Sequence, residues 1–202
     1  MLATLFSLQG QVALVTGGSR GIGRSIALAF AEAGACVAVN DINPDSCLKT
    51  ADEIVAAGGQ AAAFHADVAN KLAVQAMLID LEDRWGRVDI LINNAGVEPH
   101  KPIIQLDEWD WNRTLDVNLK GAFLCAQSAG RMMQAQGGGV IVNIASIAGR
   151  AAGLRDRSAY VASKTGLIGF TRECAREFAA YHIRVNAVCP GVIITEMTTH
   201  LR

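Results

Sequence analysis

Six short apolar, mostly β-branched runs, each separated from the next by a longer stretch of helical periodicity, constrain this chain more than any other feature. They are Val12–Thr16, Cys36–Val39, Ala61–Phe64, Val88–Ile92, Val140–Ile144 and Ile183–Val188. Each reads as a strand, and the first leads into a helix expected over Gly21–Ala33. Strict alternation of strand and helix calls for right-handed crossovers. The expected fold is therefore α/β, a doubly wound parallel sheet of six strands, with its ligands beyond the strands' carboxyl ends. A sheet covered on both faces needs an apolar chain, and 51% of the 202 residues are hydrophobic against 18% charged. With no linker, repeat or low-complexity tract, residues 1–202 are expected to form one domain.

Charge removes several partners. Eighteen basic and 19 acidic side chains leave a net charge of -1, so nothing draws the chain to nucleic acid or to an anionic membrane surface. No apolar run approaches the ~18 residues that read as a membrane span. The opening segment Met1–Ser7 lacks a basic region and reads as a short tail. Five scattered cysteines (Cys36, Cys47, Cys125, Cys174 and Cys189) form no Cys-x-x-Cys pair and read as reduced core thiols, which points to the cytoplasm. His65, His100, His182 and His200 stand apart without ligand spacing, so no metal is expected, although His100 follows the fourth strand and borders the region where a substrate would lie.

The turn after the first strand carries the first chemical signal. In Thr16-Gly17-Gly18-Ser19-Arg20-Gly21-Ile22-Gly23 the glycines permit a tight reversal and let backbone N–H groups and a helix N-terminus approach a pyrophosphate. The Gly-Lys-Ser/Thr ending of a nucleotide triphosphate loop is missing. Asp41 closes the second strand 20 residues beyond Gly21, where an acidic residue binds the adenosine ribose in dinucleotide folds. Far along the chain, Tyr160 and Lys164 fall four apart on an expected helix and so share one face. A neighbouring ammonium favours the phenolate of a tyrosine that ordinarily titrates near 10, which suits Tyr160 to proton transfer.

Seven motifs then occur in order: Thr16-Gly-x-x-x-Gly-x-Gly23, Asp67-Val68, Asn93-Asn-Ala-Gly96, Asn118, Ser146, Tyr160-x-x-x-Lys164 and Pro190-Gly191. Together they resemble the short-chain dehydrogenase/reductase family, and the texture of the chain is similar to its 3-oxoacyl-[acyl-carrier-protein] reductase members. The resemblance implies a Rossmann fold and an NAD(P)-dependent oxidoreductase moving a hydride between nicotinamide and a small alcohol or carbonyl substrate. It assigns catalysis to Asn118, Ser146, Tyr160 and Lys164: Tyr160 as general acid or base, Lys164 lowering its pKa and gripping the nicotinamide ribose, Ser146 orienting the carbonyl, and Asn118 perturbing a helix and holding a water in the proton relay.

The same resemblance assigns the cofactor to Gly17, Ser19, Arg20, Gly21, Ile22 and Gly23 in the turn, and to Asp41 at the ribose. Asp67 and Val68 are placed at the adenine; Asn94, Ala95 and Gly96 line the adenosine side, with Asn94 equally readable as structural. Tyr160, Lys164, Pro190, Gly191 and Thr195 complete the set, Thr195 at the carboxamide. Asp41 would accept from both ribose hydroxyls and repel a 2′-phosphate, so NAD is preferred; Arg20, a residue type that pairs with that phosphate in relatives, keeps NADP open.

Family members continue past Pro-Gly through a lid, a helix and a seventh strand, whereas this sequence stops at Arg202. The sixth strand is thus expected at a sheet edge. The family implies a homodimer or homotetramer. Its dimer packs the helices around Gln105 to Gln134 and Ser158 to Ala180, and its tetramer contact uses the missing last helix and strand. The truncated lid keeps a second reading open, a nucleotide-binding module without turnover. The loops Val97 to Pro102 and Arg150 to Arg157 would select the substrate.

Overall fold

The structure is a computed structural model that describes residues 6–151 and 155–196; His200 lies outside the described residues. Six parallel strands, β1 (Val12–Thr16), β2 (Cys36–Asp41), β3 (Gln60–His65), β4 (Ile90–Asn93), β5 (Gly139–Ile144) and β6 (Ile183–Val188), lie in the order β3-β2-β1-β4-β5-β6. The order reverses between β1 and β4, and a doubly wound sheet opens its ligand crevice at such a point. Among the described residues β3 and β6 form the two edges.

Alternation along each strand explains the layering. In β1, Val12 and Leu14 pack with Leu91, Ile141, Leu78 and Leu124, whereas Ala13 and Val15 pack with Val39, Ile92, Ala27 and Ile54 on the other face. Both faces are therefore dry, and each Leu or Ile so buried contributes roughly 1.5–3 kcal/mol. The covering helices are α1 (Gly21–Glu32), α2 (Pro44–Ala56), α3 (Lys71–Trp85), α4 (Glu108–Leu115), α5 (Gly121–Ala135) and α6 (Ser158–Phe178). Between α4 and α5 the chain makes a π turn, Asp116–Lys120.

Helix starts follow local chemistry. Asn43 accepts from Ser46 N at 3.0 Å ahead of Pro44, Asn70 accepts from Leu72 N and Ala73 N, and Asp107 accepts from Asp110 N at 2.8 Å. Strand boundaries differ from the expected ones at one to two residues. The fourth strand begins at Ile90 rather than Val88, because Val88 N turns to Gln136 Oε1 and the Asp89 carboxylate accepts from Val12 N at 2.8 Å. The second ends at Asp41, as expected, which places that carboxylate at the strand's carboxyl end.

Candidate active site

One groove crosses the carboxyl ends of β1, β2, β4 and β5, and backbone builds its first wall. Gly17 and Gly21 have φ of 61° and 52°, in the left-handed region that favours glycine. A Cβ on Gly17 would stand 2.9 Å from Ala95 Cα, and one on Gly23 only 2.1 Å from Gly17 O. These glycines are thus required by close approach. Arg20, the N-cap of α1, supplies no side-chain hydrogen bond to the helix, in contrast to the caps of α2, α3 and α4. The helix presents its amides and positive dipole end to the groove, which suits a pyrophosphate.

Side chains brace that wall from behind. Asn94 Nδ2 donates to Thr16 O and Gly17 O, each at 3.0 Å, and Asn94 N donates to Thr16 Oγ1 at 3.0 Å. Asp41, 8% exposed, accepts from the amide and hydroxyl of Ser19 and from Asn43 N. Its carboxylate is fixed before any ligand arrives. Asp67 Oδ1 accepts from Ala69 N, and its Oδ2 accepts from Arg113 Nη1, both at 2.9 Å.

The second wall is made of side chains from α6 and the turns around it. Lys164 is buried and donates from Nζ to Ile144 O at 2.7 Å, while Nζ stands 5.7 Å from the centre of the Tyr160 ring. Burial pulls the Lys164 pKa down to about 8, against the opposing pull of Glu98 and Cys189. Burial pushes the Tyr160 phenol up; the Ser146 hydroxyl and the charge of Arg157 act downward, and Glu98 acts upward with burial. The positive side chain that lowers Tyr160 in the protein alone is therefore Arg157, a residue outside the motif. Ser146 ends the β5 turn, where its Oγ accepts from Ala148 N at 3.1 Å.

Asn118 sits inside the π turn, 1% exposed. Its Oδ1 accepts from Val97 N at 2.8 Å, and its Nδ2 donates to Val97 O and to Ser163 Oγ at 3.0 Å. One amide thus ties the loop after β4 to α6.

Of the residues singled out from sequence, Gly17, Arg20, Gly21, Ile22, Asp41, Asp67 and Val68 line the groove together with Asn94, Ala95 and Gly96. Ser146, Tyr160, Lys164, Pro190, Gly191 and Thr195 line the same groove. Ser19, Gly23 and Asn118 stand behind the lining, as supports for Asp41, the glycine turn and the β4 loop. Thr195 lies over the glycine turn, since a Cβ on Gly21 would meet its Cγ2 at 3.2 Å.

Two residues that line the groove, Glu98 and Arg113, carry no motif. Arg113 pairs with Asp67, and Glu98 pairs with Arg157 at 3.1 Å with both side chains buried. No spacing rule joins residues 98 and 157, so only the fold brings them together. His100, expected at the substrate region, lies against Arg157, whose Nε is 3.2 Å from His100 Nε2. Among the described residues no three His, Cys, Asp or Glu side chains gather as a metal site, and no helix is long and apolar enough to cross a membrane. All five cysteines are free thiols, Cys47, Cys125 and Cys174 buried.

Comparison with known proteins agrees with this architecture. The short chain dehydrogenase family profile matches residues 11–202. The chain is 42% identical over 196 residues to a 3-oxoacyl-[acyl-carrier-protein] reductase of Synechocystis, covering 96% of this chain and 79% of that protein. A short-chain type dehydrogenase/reductase from Mycobacterium marinum superposes with a TM-score of 0.95 at 39% identity, covering 100% of this chain and 80% of the other. A 7α-hydroxysteroid dehydrogenase solved with NADH and 7-oxo glycochenodeoxycholic acid gives a TM-score of 0.93 at 35% identity, covering 98% and 76%.

Proposed function

Because the chain belongs to the short-chain dehydrogenase family, and so is an NAD(P)-dependent oxidoreductase acting between an alcohol and a carbonyl, we propose that Tyr160 moves the proton of that reaction. The observation that carries this reading is the single groove lined by Tyr160, Lys164, Ser146 and the glycine turn together. The residues present fit a dinucleotide. Gly17, Ser19, Arg20, Gly21, Ile22 and Gly23 offer a backbone cradle whose packing leaves no room for a Cβ at Gly17 or Gly23, Asp41 a fixed ribose acceptor, and Asp67, Val68, Asn94, Ala95 and Gly96 the adenosine side. Pro190, Gly191 and Thr195 would complete the nicotinamide end. When bound, the nicotinamide supplies or accepts the hydride.

The chain's own residues do the rest. In the reducing direction the Tyr160 hydroxyl gives its proton to the carbonyl oxygen as charge develops there, and the Ser146 hydroxyl donates to the same oxygen. In the oxidising direction the Tyr160 phenolate accepts the alcohol proton. Lys164, with a pKa of about 8, is a proton reservoir matched to neutral pH behind the phenol. Asn118 holds the β4 loop against α6, the helix that carries Tyr160 and Lys164.

NAD is the preferred cofactor in this reading. The preorganised Asp41 carboxylate disfavours a 2′-phosphate, and Arg20, the residue that would welcome one, lies 3.8 Å from Glu196. The free thiols suit the cytoplasm. A homodimer through α5 and α6 is supported by exposed Phe123, stacked edge-on to Phe170 at 6.2 Å; sedimentation velocity is expected to show twice the chain mass, and a monomer would refute it.

The central test is fluorescence titration with NADH and NADPH, paired with a turnover screen that includes 3-oxoacyl thioesters and hydroxysteroids. Tyr160→Phe is expected to keep NADH binding and to lose turnover by about 10²- to 10⁴-fold. Turnover surviving in that variant would sink the assignment, and tighter NADPH binding would overturn the cofactor preference.

A further inference from the structure

The Glu98–Arg157 pair belongs to no motif of the chain, yet it stands beside the reacting phenol. Glu98 Oε1 lies 3.1 Å from Arg157 Nε, with the two side chains only 6% and 8% exposed. Burying an ion pair rarely adds stability over an apolar substitute, so a position that keeps one invites another explanation. Arg157 is the residue immediately before α6 and three before Tyr160. Glu98 lines the groove on the loop after β4. The two segments meet again where Lys101, three residues past Glu98, donates from N to the carbonyl oxygen of Asp156, the residue before Arg157, at 2.9 Å, and Asp156 itself holds a left-handed φ of 60°.

We infer that the Glu98–Arg157 ion pair is a positioning device for Tyr160, which locks the β4 loop to the first turn of α6 and holds two opposed charges beside the phenol. This rests on the reading of Tyr160 as the proton-transfer group. Every charged or titratable neighbour has a defined place. Arg157 faces Tyr160 from the residue before α6 and Lys164 from α6 itself, Glu98 and His100 from the β4 loop, Ser146 from the β5 turn, and Cys189 from the segment after β6 by way of Lys164. Glu98 raises the phenol pKa and Arg157 lowers it, so the two charges of the intact pair oppose each other at the phenol. Glu98 also favours the charged form of Lys164. Removing either partner unmasks the other, and the two removals must displace Tyr160 in opposite directions.

The sequence has two tyrosines, so Tyr181→Phe leaves Tyr160 as the sole phenol. In that background, near-ultraviolet tyrosinate absorbance reads Tyr160 directly in the full chain, with NAD added and without any substrate. Glu98→Gln, close in shape and uncharged, is expected to lower the titration midpoint by about one pH unit or more, and Arg157→Gln to raise it by a similar amount. The double variant is expected to return close to the parent, and Arg157→Lys to stay there. A midpoint common to all variants, or a shift of the same sign in both single variants, overturns the inference. If Arg157→Gln does not fold, an unshifted Glu98→Gln is sufficient to overturn it. Because this readout needs no turnover, a failed Tyr160→Phe experiment and a failed titration are separate results.

Discussion

The half of the site built on β1 and β2 and the half built on β4, β5 and α6 solve their tasks with different materials. The first is backbone: glycines that admit no Cβ, an uncapped helix start, and one carboxylate fixed by Ser19 and Asn43. The second is a set of side chains, buried Asn118, Ser146 and Lys164 with partly buried Tyr160, whose phenol feels the opposed charges of Glu98 and Arg157. A pyrophosphate needs only N–H groups at short range, which backbone supplies without tuning. A proton must be held at an energy close to that of its acceptor, and only burial and charge can set that.

The contrast can be broken at either half. The larger effect is expected in the first, where a single methyl has nowhere to go. Gly23→Ala puts a Cβ 2.1 Å from Gly17 O, so overpacking of about 1–3 kcal/mol is expected, together with loss of most NADH affinity. Calorimetry and NADH titration read both. Binding unchanged in that variant would mean that the cradle is softer than its geometry.

The second half is sharpened by pH. The folded-state pKa of Lys164, about 8, lies below its ordinary 10.5. Between these values the unfolded chain binds more protons, so stability from this group rises with pH across that window. Below pH 8 the full cost of the buried ammonium is present, on the order of 3 kcal/mol. Lys164→Met is therefore expected to unfold at higher urea than wild type at pH 7, with the gap closing toward pH 10.5. A gap that does not vary with pH would place the lysine's cost elsewhere.

These materials also decide what sequence could reveal. Glycine at 17, 21 and 23 after a strand has few other uses, so the cradle is legible from spacing, and so are Asp41 at the strand end and the four-residue interval from Tyr160 to Lys164. The alternation of runs foretold six parallel strands, with errors only at ends such as Val88, where a side-chain bond from Gln136 replaced the ladder. Glu98 and Arg157 were not legible, because 59 positions separate them and neither has a local pattern to satisfy. Arg113, which pairs with Asp67, was hidden in the same way on an amphipathic helix. The contact of His100 with Arg157 was hidden likewise, since nothing local pairs the two.

The π turn at Asp116–Lys120 has a consequence for insertions and deletions. Such a turn amounts to one residue more than the α-helical count, and each residue of an α-helix accounts for about 100° of rotation. Deleting a single residue there would restore an unbroken rod from α4 into α5 while swinging the segments on either side of it out of phase. Asn118 would then point away from Val97 and Ser163, and the loop and helix it now joins would lose their common tether. The reading frame of the site depends on one supernumerary residue in a helix, so this short segment is expected to tolerate changes of side chain far better than changes of length.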